Sequence, residues 1–244
     1  MTADRLGATK RLAYPLDYPS LEDARQGARL VAPHVGVLKV GLELFVAEGA
    51  AAIAVCHDLG LDVFLDLKLH DIPETVGRAV RAAASLGIRY LTVHAQGGRA
   101  MLERAVEEAS RAPTPLTILA VTLLTSLDAP DLVDLGVVES APNHVERLAR
   151  LAWNAGVRGF VASAAEARNL RQTLGPDALL VTPGIRPAGN AAGDQKRVVT
   201  PADAIAAGAD LLVVGRPIRD AVDPAAAASG IVQEIQTALE AHRT

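Results

Sequence analysis

The stretch FLDLKLHDIPETV, residues 64–76, sets Asp66, Lys68 and Asp71 at the end of a run that otherwise reads as a buried apolar strand. Two more charges stand in comparable places, Lys39 in VLKVG and Asp17 in YPLDYPS. Ammonium and carboxylate groups are the types that hold a polar ligand and move a proton to or from it. Burying any one of them without a partner costs on the order of several kcal/mol, so the expected arrangement is a network in which opposite charges alternate. A second set suits an anion. VVGRPI carries Gly215 and Arg216, and TPGIR carries Arg186. A glycine lets backbone amides approach phosphate oxygens, and an arginine adds a two-pronged cation.

These residues matter only if the chain brings them together, and the surrounding pattern says how. Short β-branched or leucine-rich runs near residues 11–16, 37–41, 62–68, 90–94, 116–121, 157–161, 179–182 and 211–214 read as eight strands. Alanine-rich stretches with helical spacing lie between them, at 20–32, 44–59, 73–86, 98–110, 142–155, 163–173, 201–207 and 223–241. Strict alternation of helices with near-continuous apolar strands implies parallel pairing under a layer of helices. Eight such units predict one domain over residues 1–244, an α/β fold of the (β/α)8 TIM-barrel class, in preference to an open doubly wound sheet.

In such barrels the active site lies at the C-terminal ends of the strands, and the loops after strands seven and eight commonly bind phosphate. The period of two on the third strand puts Phe64, Asp66 and Lys68 on one face and Val63, Leu65 and Leu67 on the other. With the aliphatic set on the helices, Asp66 and Lys68 point into the barrel mouth. D-I-P-E makes Asp71 the expected N-cap of the next helix, with Pro73 in the first turn and Glu74 at the capping-box position. Pro15, just before Asp17, removes a ladder donor, so it is expected at a bulge or with its nitrogen turned away from a partner. The irregular segment 183–200, rich in Gly and Pro, reads as a functional lid.

Composition removes several classes of function. A formal net charge of −4 leaves no global positive field to hold nucleic acid. One cysteine, Cys56, forms no intramolecular disulfide and no multi-cysteine metal site, and the chain is expected in the cytoplasm. No apolar run approaches the roughly 20 residues that span a bilayer, and the N-terminus has no apolar core of signal-peptide type. His34, His57, His70 and His94 show no metal-ligand spacing, and Cys56 reads as a buried helix residue.

The motifs LDYPS, LKVGLELF, FLDLKLHDIPETV, LTVHAQGG, AVTLLTS, VTPGIRP, GDQKRV and VVGRPI occur in this order over nearly the whole chain. In this order they closely resemble the orotidine 5′-phosphate decarboxylases of the bacterial type. The resemblance implies conversion of orotidine 5′-monophosphate to UMP and CO2, the last step of de novo pyrimidine synthesis, with no cofactor and no metal. It makes Lys68 the proton donor within a Lys39–Asp66–Lys68–Asp71 array. It further implies a homodimer in which Asp71 and Thr75 reach the partner's site. Asp17 and Lys39 would bind ribose hydroxyls, and Thr125 and Ser126 would lie near the pyrimidine. Pro183, Arg186, Gln195, Gly215 and Arg216 would complete the substrate site around the phosphate, with Gln195 spanning toward the base.

Two other readings use the same residues. Barrels such as keto-gulonate phosphate decarboxylase and hexulose phosphate synthase carry a similar D-x-K-x-x-D strand but use a divalent metal to stabilise an enediolate. A non-catalytic nucleotide-phosphate-binding barrel would keep the fold without the chemistry, but binding alone does not call for so dense a charge cluster.

Overall fold

A computed structural model describes residues 7–187 and 199–241. Its strands are β1 (Leu12–Pro15), β2 (Val37–Gly41), β3 (Asp62–Leu69), β4 (Tyr90–His94), β5 (Thr117–Val121), β6 (Gly159–Val161), β7 (Leu179–Pro183) and β8 (Leu211–Val213). Each pairs in parallel with the next, and β8 returns to β1, which closes the barrel. The expected (β/α)8 fold is therefore the observed one. β2 and β4 have the expected bounds, β1 is one residue shorter at each end, and the other strands differ by one or two residues at one end.

The helices are α1 (Leu21–Val31), α2 (Leu42–Glu48), α3 (Ala50–Asp58), α4 (Pro73–Ala84), α5 (Gly98–Ser110), α6 (Ala129–Asp134), α7 (Ala141–Asn154), α8 (Ala164–Leu174), α9 (Pro201–Ala206), α10 (Arg216–Arg219) and α11 (Pro224–Ala241). The single helix expected over 44–59 is two, α2 and α3, because Gly49 between them sits at φ +56°. That conformation ends the first helix and is cheap only for glycine. The six-residue α6, in the excursion after β5, has no counterpart among the expected helices.

Alternation along the strands divides the core in two. Ala13, Val37, Phe64, Tyr90, Leu119, Val181, Leu211 and Val213 fill the barrel interior. Their neighbours, among them Leu38, Val40, Val63, Leu65, Leu91 and Leu212, pack outward against the helices. At the opposite end from the strand C-termini, buried Asp210 ties the seam: it accepts from Leu180 N at 2.8 Å and pairs with Arg171 at 2.6 Å and Arg11 at 3.6 Å.

Pro15 lies in regular register with Lys39, so there is no bulge on that side. Leu16 N donates to Lys39 O at 2.8 Å, so by alternation the Pro15 nitrogen faces β8. The β1–β8 register ends at Ala13–Val213, with Val214 N donating to Ala13 O at 3.0 Å; the next position in phase toward β8 is the Pro15 nitrogen, which has no proton to give, so the pairing stops there. The proline ring instead packs where Gly215 has no side chain: a Cβ there would meet Pro15 Cγ at 2.9 Å.

Candidate active site

Lys39 comes from β2, where Val37 on the same face points into the barrel and Leu38 and Val40 pack outward. Its ammonium therefore rises in the mouth. Nζ lies 3.6 Å from Asp17 Oδ1, just past β1, and 3.6 Å from Asp66 Oδ2 on β3. Asp66 Oδ1 in turn pairs with Lys68 Nζ at 2.9 Å. The result is an unbroken series, Asp17–Lys39–Asp66–Lys68, drawn from the ends of three neighbouring strands. The Asp66 and Lys39 side chains retain only 15% and 13% of their exposure, so water screens their pairing weakly.

Burial alone would raise the Asp66 pKa, but the two ammonium groups, with hydrogen bonds from Lys68 and Thr92, outweigh it and hold the carboxyl below its ordinary range. The anion in turn offsets the cost of placing two cations side by side.

Simple alternation puts Lys68 on the right face, but the structure brings it there by another route. The β3–β4 register runs Leu65–Leu91 and resumes at Leu69–Val93, so three residues of β3 oppose the single residue Thr92. Lys68 sits in this bulge at φ +51°, and among the described residues it is alone outside glycine in having positive φ. A conformation of this kind costs an L residue about 1–3 kcal/mol and persists where its surroundings impose it. Thr92, fully buried on β4, supplies the restraint. Its hydroxyl accepts from Lys68 N at 2.9 Å and donates to Asp66 Oδ1 at 2.9 Å. Sequence reasoning passed over Thr92 because a β-branched residue in a strand reads as packing. The available signal was phase: Thr92 shares a face with Tyr90, which points into the barrel.

His94 completes that face, with its ring 5.5 Å from the ring of His70 beyond β3. Burial, reinforced by His70 and Lys68 and opposed by Asp66, pushes His94 below the usual imidazole range. A neutral ring therefore lines the site at pH 7. The histidines are not arranged as ligands: among the described residues no group of three or more His, Cys, Asp or Glu could hold a metal ion.

The expected cap at Asp71 is not formed. The N-cap of α4 is Ile72, with Pro73 in the first turn, and Glu74 pairs with Arg78 and Arg104 instead of closing a capping box. The X-Pro step explains the shift, because Ile72 must be extended (ψ 152°) and the helix starts one residue late. Asp71 is exposed, and its Oδ1 accepts from Ile72 N at 2.6 Å. Within this chain it stands outside the Asp17–Lys68 series, and Thr75, on the first turn of α4, is also exposed.

The remaining predicted residues follow strand ends on the same rim. Thr125 and Ser126 form an exposed turn after β5, and Pro183 ends β7 half-buried. Arg186 is buried, and its N–H donates to Val199 O at 3.0 Å. Gly215 is the residue before α10, and a Cβ on it would lie 3.9 Å from Asp17 Oδ2, so the β8 end adjoins the charged series. Arg216 opens α10 and is exposed. Gln195, and most of the segment read as a lid, lie outside the described residues. Gly41, which was not singled out, has a structural reason to be bare: a Cβ there would sit 3.2 Å from Lys39 Nζ and 3.6 Å from Asp17 Oδ1.

Among the described residues no helix is long and apolar enough to cross a membrane. The model of the orotidine 5′-phosphate decarboxylase / HUMPS family matches residues 10–231. An orotidine 5′-phosphate decarboxylase of Anaeromyxobacter sp. (strain K) is 55% identical over 223 residues, covering 91% of this chain and 97% of that one. One of Thermobifida fusca (strain YX) is 52% identical over 226 residues, 92% and 95% of the two chains. The crystal structure of orotidine 5′-phosphate decarboxylase from Lactobacillus acidophilus superposes with a TM-score of 0.82 at 36% identity, over 93% of this chain and 99% of that one.

Proposed function

The chain belongs to the orotidine 5′-phosphate decarboxylase / HUMPS family, and we propose that it converts orotidine 5′-monophosphate to UMP and CO2 as the last step of de novo pyrimidine synthesis, without a cofactor or metal. The observation that carries this reading is the Lys39–Asp66–Lys68 series in the barrel mouth, with a single carboxylate between two ammonium groups.

Breaking the bond from C6 to the carboxylate leaves its electron pair on C6, where the pyrimidine ring offers little resonance relief. A cation fixed beside that carbon stabilises the developing charge without having to reorganise. Lys68 Nζ supplies the field and then a proton to C6, and it regains a proton from solvent after CO2 departs. Asp66 orients both ammonium groups. Its repulsion of the substrate carboxylate disappears as CO2 leaves, so any contribution from ground-state stress acts in the same direction.

Asp17 and Lys39 hold ribose hydroxyls in this reading, and Thr125 and Ser126 face the pyrimidine. Pro183, Arg186, Gln195, Gly215 and Arg216 complete the site around the phosphate. Enzymes lower barriers by roughly 8–23 kcal/mol, more than the groups at one carbon readily provide, so binding of the remote phosphate contributes to ordering the base.

Asp71 and Thr75 serve the site of a second copy in a homodimer. Their exposure supports this, as do the exposed apolar side chains Ile72 beside them and Leu42 and Val46 on α2, which follows the neighbouring strand. Cys56, single and buried, suits a reducing cytoplasm.

Loss of orotidine 5′-monophosphate absorbance, followed with and without EDTA, tests the proposal. Turnover to UMP that survives the chelator is expected. Absence of turnover would overturn it in favour of a metal-dependent phosphosugar reaction or a non-catalytic phosphate-binding barrel, and activity lost to EDTA and restored by a divalent cation would overturn its metal-free chemistry.

A further inference from the structure

We infer that Thr92 is a positioning residue for the proton-donating lysine: its one hydroxyl holds Lys68 in the left-handed conformation that aims the ammonium into the mouth, and fixes the carboxylate that Lys68 faces. The inference deepens the decarboxylase reading and rests on it for the identity of the reaction.

The argument starts from the ladder. Where three residues of β3 oppose one of β4, the N–H of Lys68 has no carbonyl in register to receive it. A buried amide left so would be costly, and the strand would relax toward regular pairing, which needs φ near −120° in place of +51°. Thr92 Oγ1 takes that N–H at 2.9 Å. The hydroxyl proton is then committed in the other direction, to Asp66 Oδ1 at 2.9 Å, the same oxygen that receives Lys68 Nζ at 2.9 Å. A closed loop results: Lys68 backbone to Thr92, Thr92 to Asp66, Asp66 to the Lys68 side chain. Both ends of the lysine are thereby referred to one buried atom, and a serine, asparagine or water would have to reproduce two bonds at once to replace it. Thr92 has no solvent exposure, so water does not compete for either bond. The hydroxyl also helps keep the Asp66 carboxyl low.

Thr92→Val removes the hydroxyl at nearly constant volume, Thr92→Ala removes it if the valine variant does not fold, and Thr92→Ser retains it. The hydroxyl-free variant is expected to lose roughly 10- to 100-fold in kcat with KM changed less than about threefold, since binding groups elsewhere on the rim are untouched. Its acid limb of kcat/KM moves to higher pH, because Asp66 then loses a hydrogen bond that favours its charged form and protonates more readily. Thr92→Ser is expected to recover most of kcat and the original limb. A purely structural threonine would lower Tm but leave kcat and the limb of the folded enzyme unchanged, and that result overturns the inference. A crystal structure of the hydroxyl-free variant gives a readout independent of the reaction: Lys68 is expected to leave positive φ or to lose its contact with Asp66. If wild type fails to turn over orotidine 5′-monophosphate, the decarboxylase reading falls, while an unchanged Lys68 in that crystal structure sinks the positioning role itself.

Discussion

Replacing Gly41 by alanine adds one methyl group at the floor of the charged series. The backbone there, φ −89° and ψ 179°, is open to any L residue, so the effect arises from the side chain and not from strain. The new Cβ would lie 3.2 Å from Lys39 Nζ, closer than an ordinary contact, and the flexible lysine is the group that gives way. At an effective dielectric of about 20, moving Nζ outward by about half an ångström from a 3.6 Å pairing weakens each ion pair by about 0.5 kcal/mol. Asp17 is half exposed and its share is screened, so the Asp66 arm dominates. Added to the displacement of a group proposed to hold the substrate ribose, this predicts a loss in kcat/KM of roughly threefold to tenfold. Gly41 also precedes α2, where alanine is the poorer residue, and Tm should fall by about 2–4 °C. Steady-state decarboxylation and a thermal melt measure both quantities, with Gly230→Ala, whose added Cβ meets nothing within 4 Å, as the control. A Gly41→Ala enzyme with kcat/KM within twofold of wild type would refute the reasoning that Lys39 works through its position between two carboxylates.

Other consequences concern groups away from the mouth. Glu108, buried between α4 and α5, receives Arg81, Arg104 and Arg111, and the Arg81 hydrogen bond foremost holds its carboxyl down to about 2. Because its folded pKa is depressed, its contribution is complete above the unfolded value of about 4.3 and is lost as pH falls toward about 2. Glu108→Gln is therefore expected to lower Tm at pH 7 while leaving kcat unchanged, with the difference in Tm narrowing in melts below about pH 4.3. Burial pushes the Cys56 thiol up to about 12, so an aromatic disulfide reagent at pH 8 should label it only as fast as the chain unfolds, and rapid labelling of native protein would contradict its burial.

The architecture was legible because parallel strands buried on both faces carry their own signature. Runs such as VLKVG and YLTVH have the observed bounds, and closure follows from eight repeats. The convergence of Asp17, Lys39, Asp66 and Lys68 was legible for the same reason, since period two and strand order place them on one rim. What escaped was non-local or depended on a single backbone angle. D-L-K-L reads as unbroken alternation, and nothing within it announces that Lys68 is left-handed. The bulge arises from pairing with β4, twenty-odd residues away, and Thr92 acquires its role only through that pairing. Asp71 misled because D-I-P-E satisfies the capping pattern, although proline forces Ile72 into the N-cap place. Gly49 carried a signal that helical periodicity overrode, and it divides one expected helix into two.

The central claim, that Lys68 delivers the proton to C6 from its pairing with Asp66, is tested most directly by comparing wild type with Lys68→Ala. Loss of orotidine 5′-monophosphate absorbance would be followed at saturating substrate, with folding of both proteins checked by thermal melt. The account predicts a folded variant whose kcat is lower by at least about 10³-fold, since it lacks both the fixed cation and the acid. Comparable rates for the two folded proteins would contradict it.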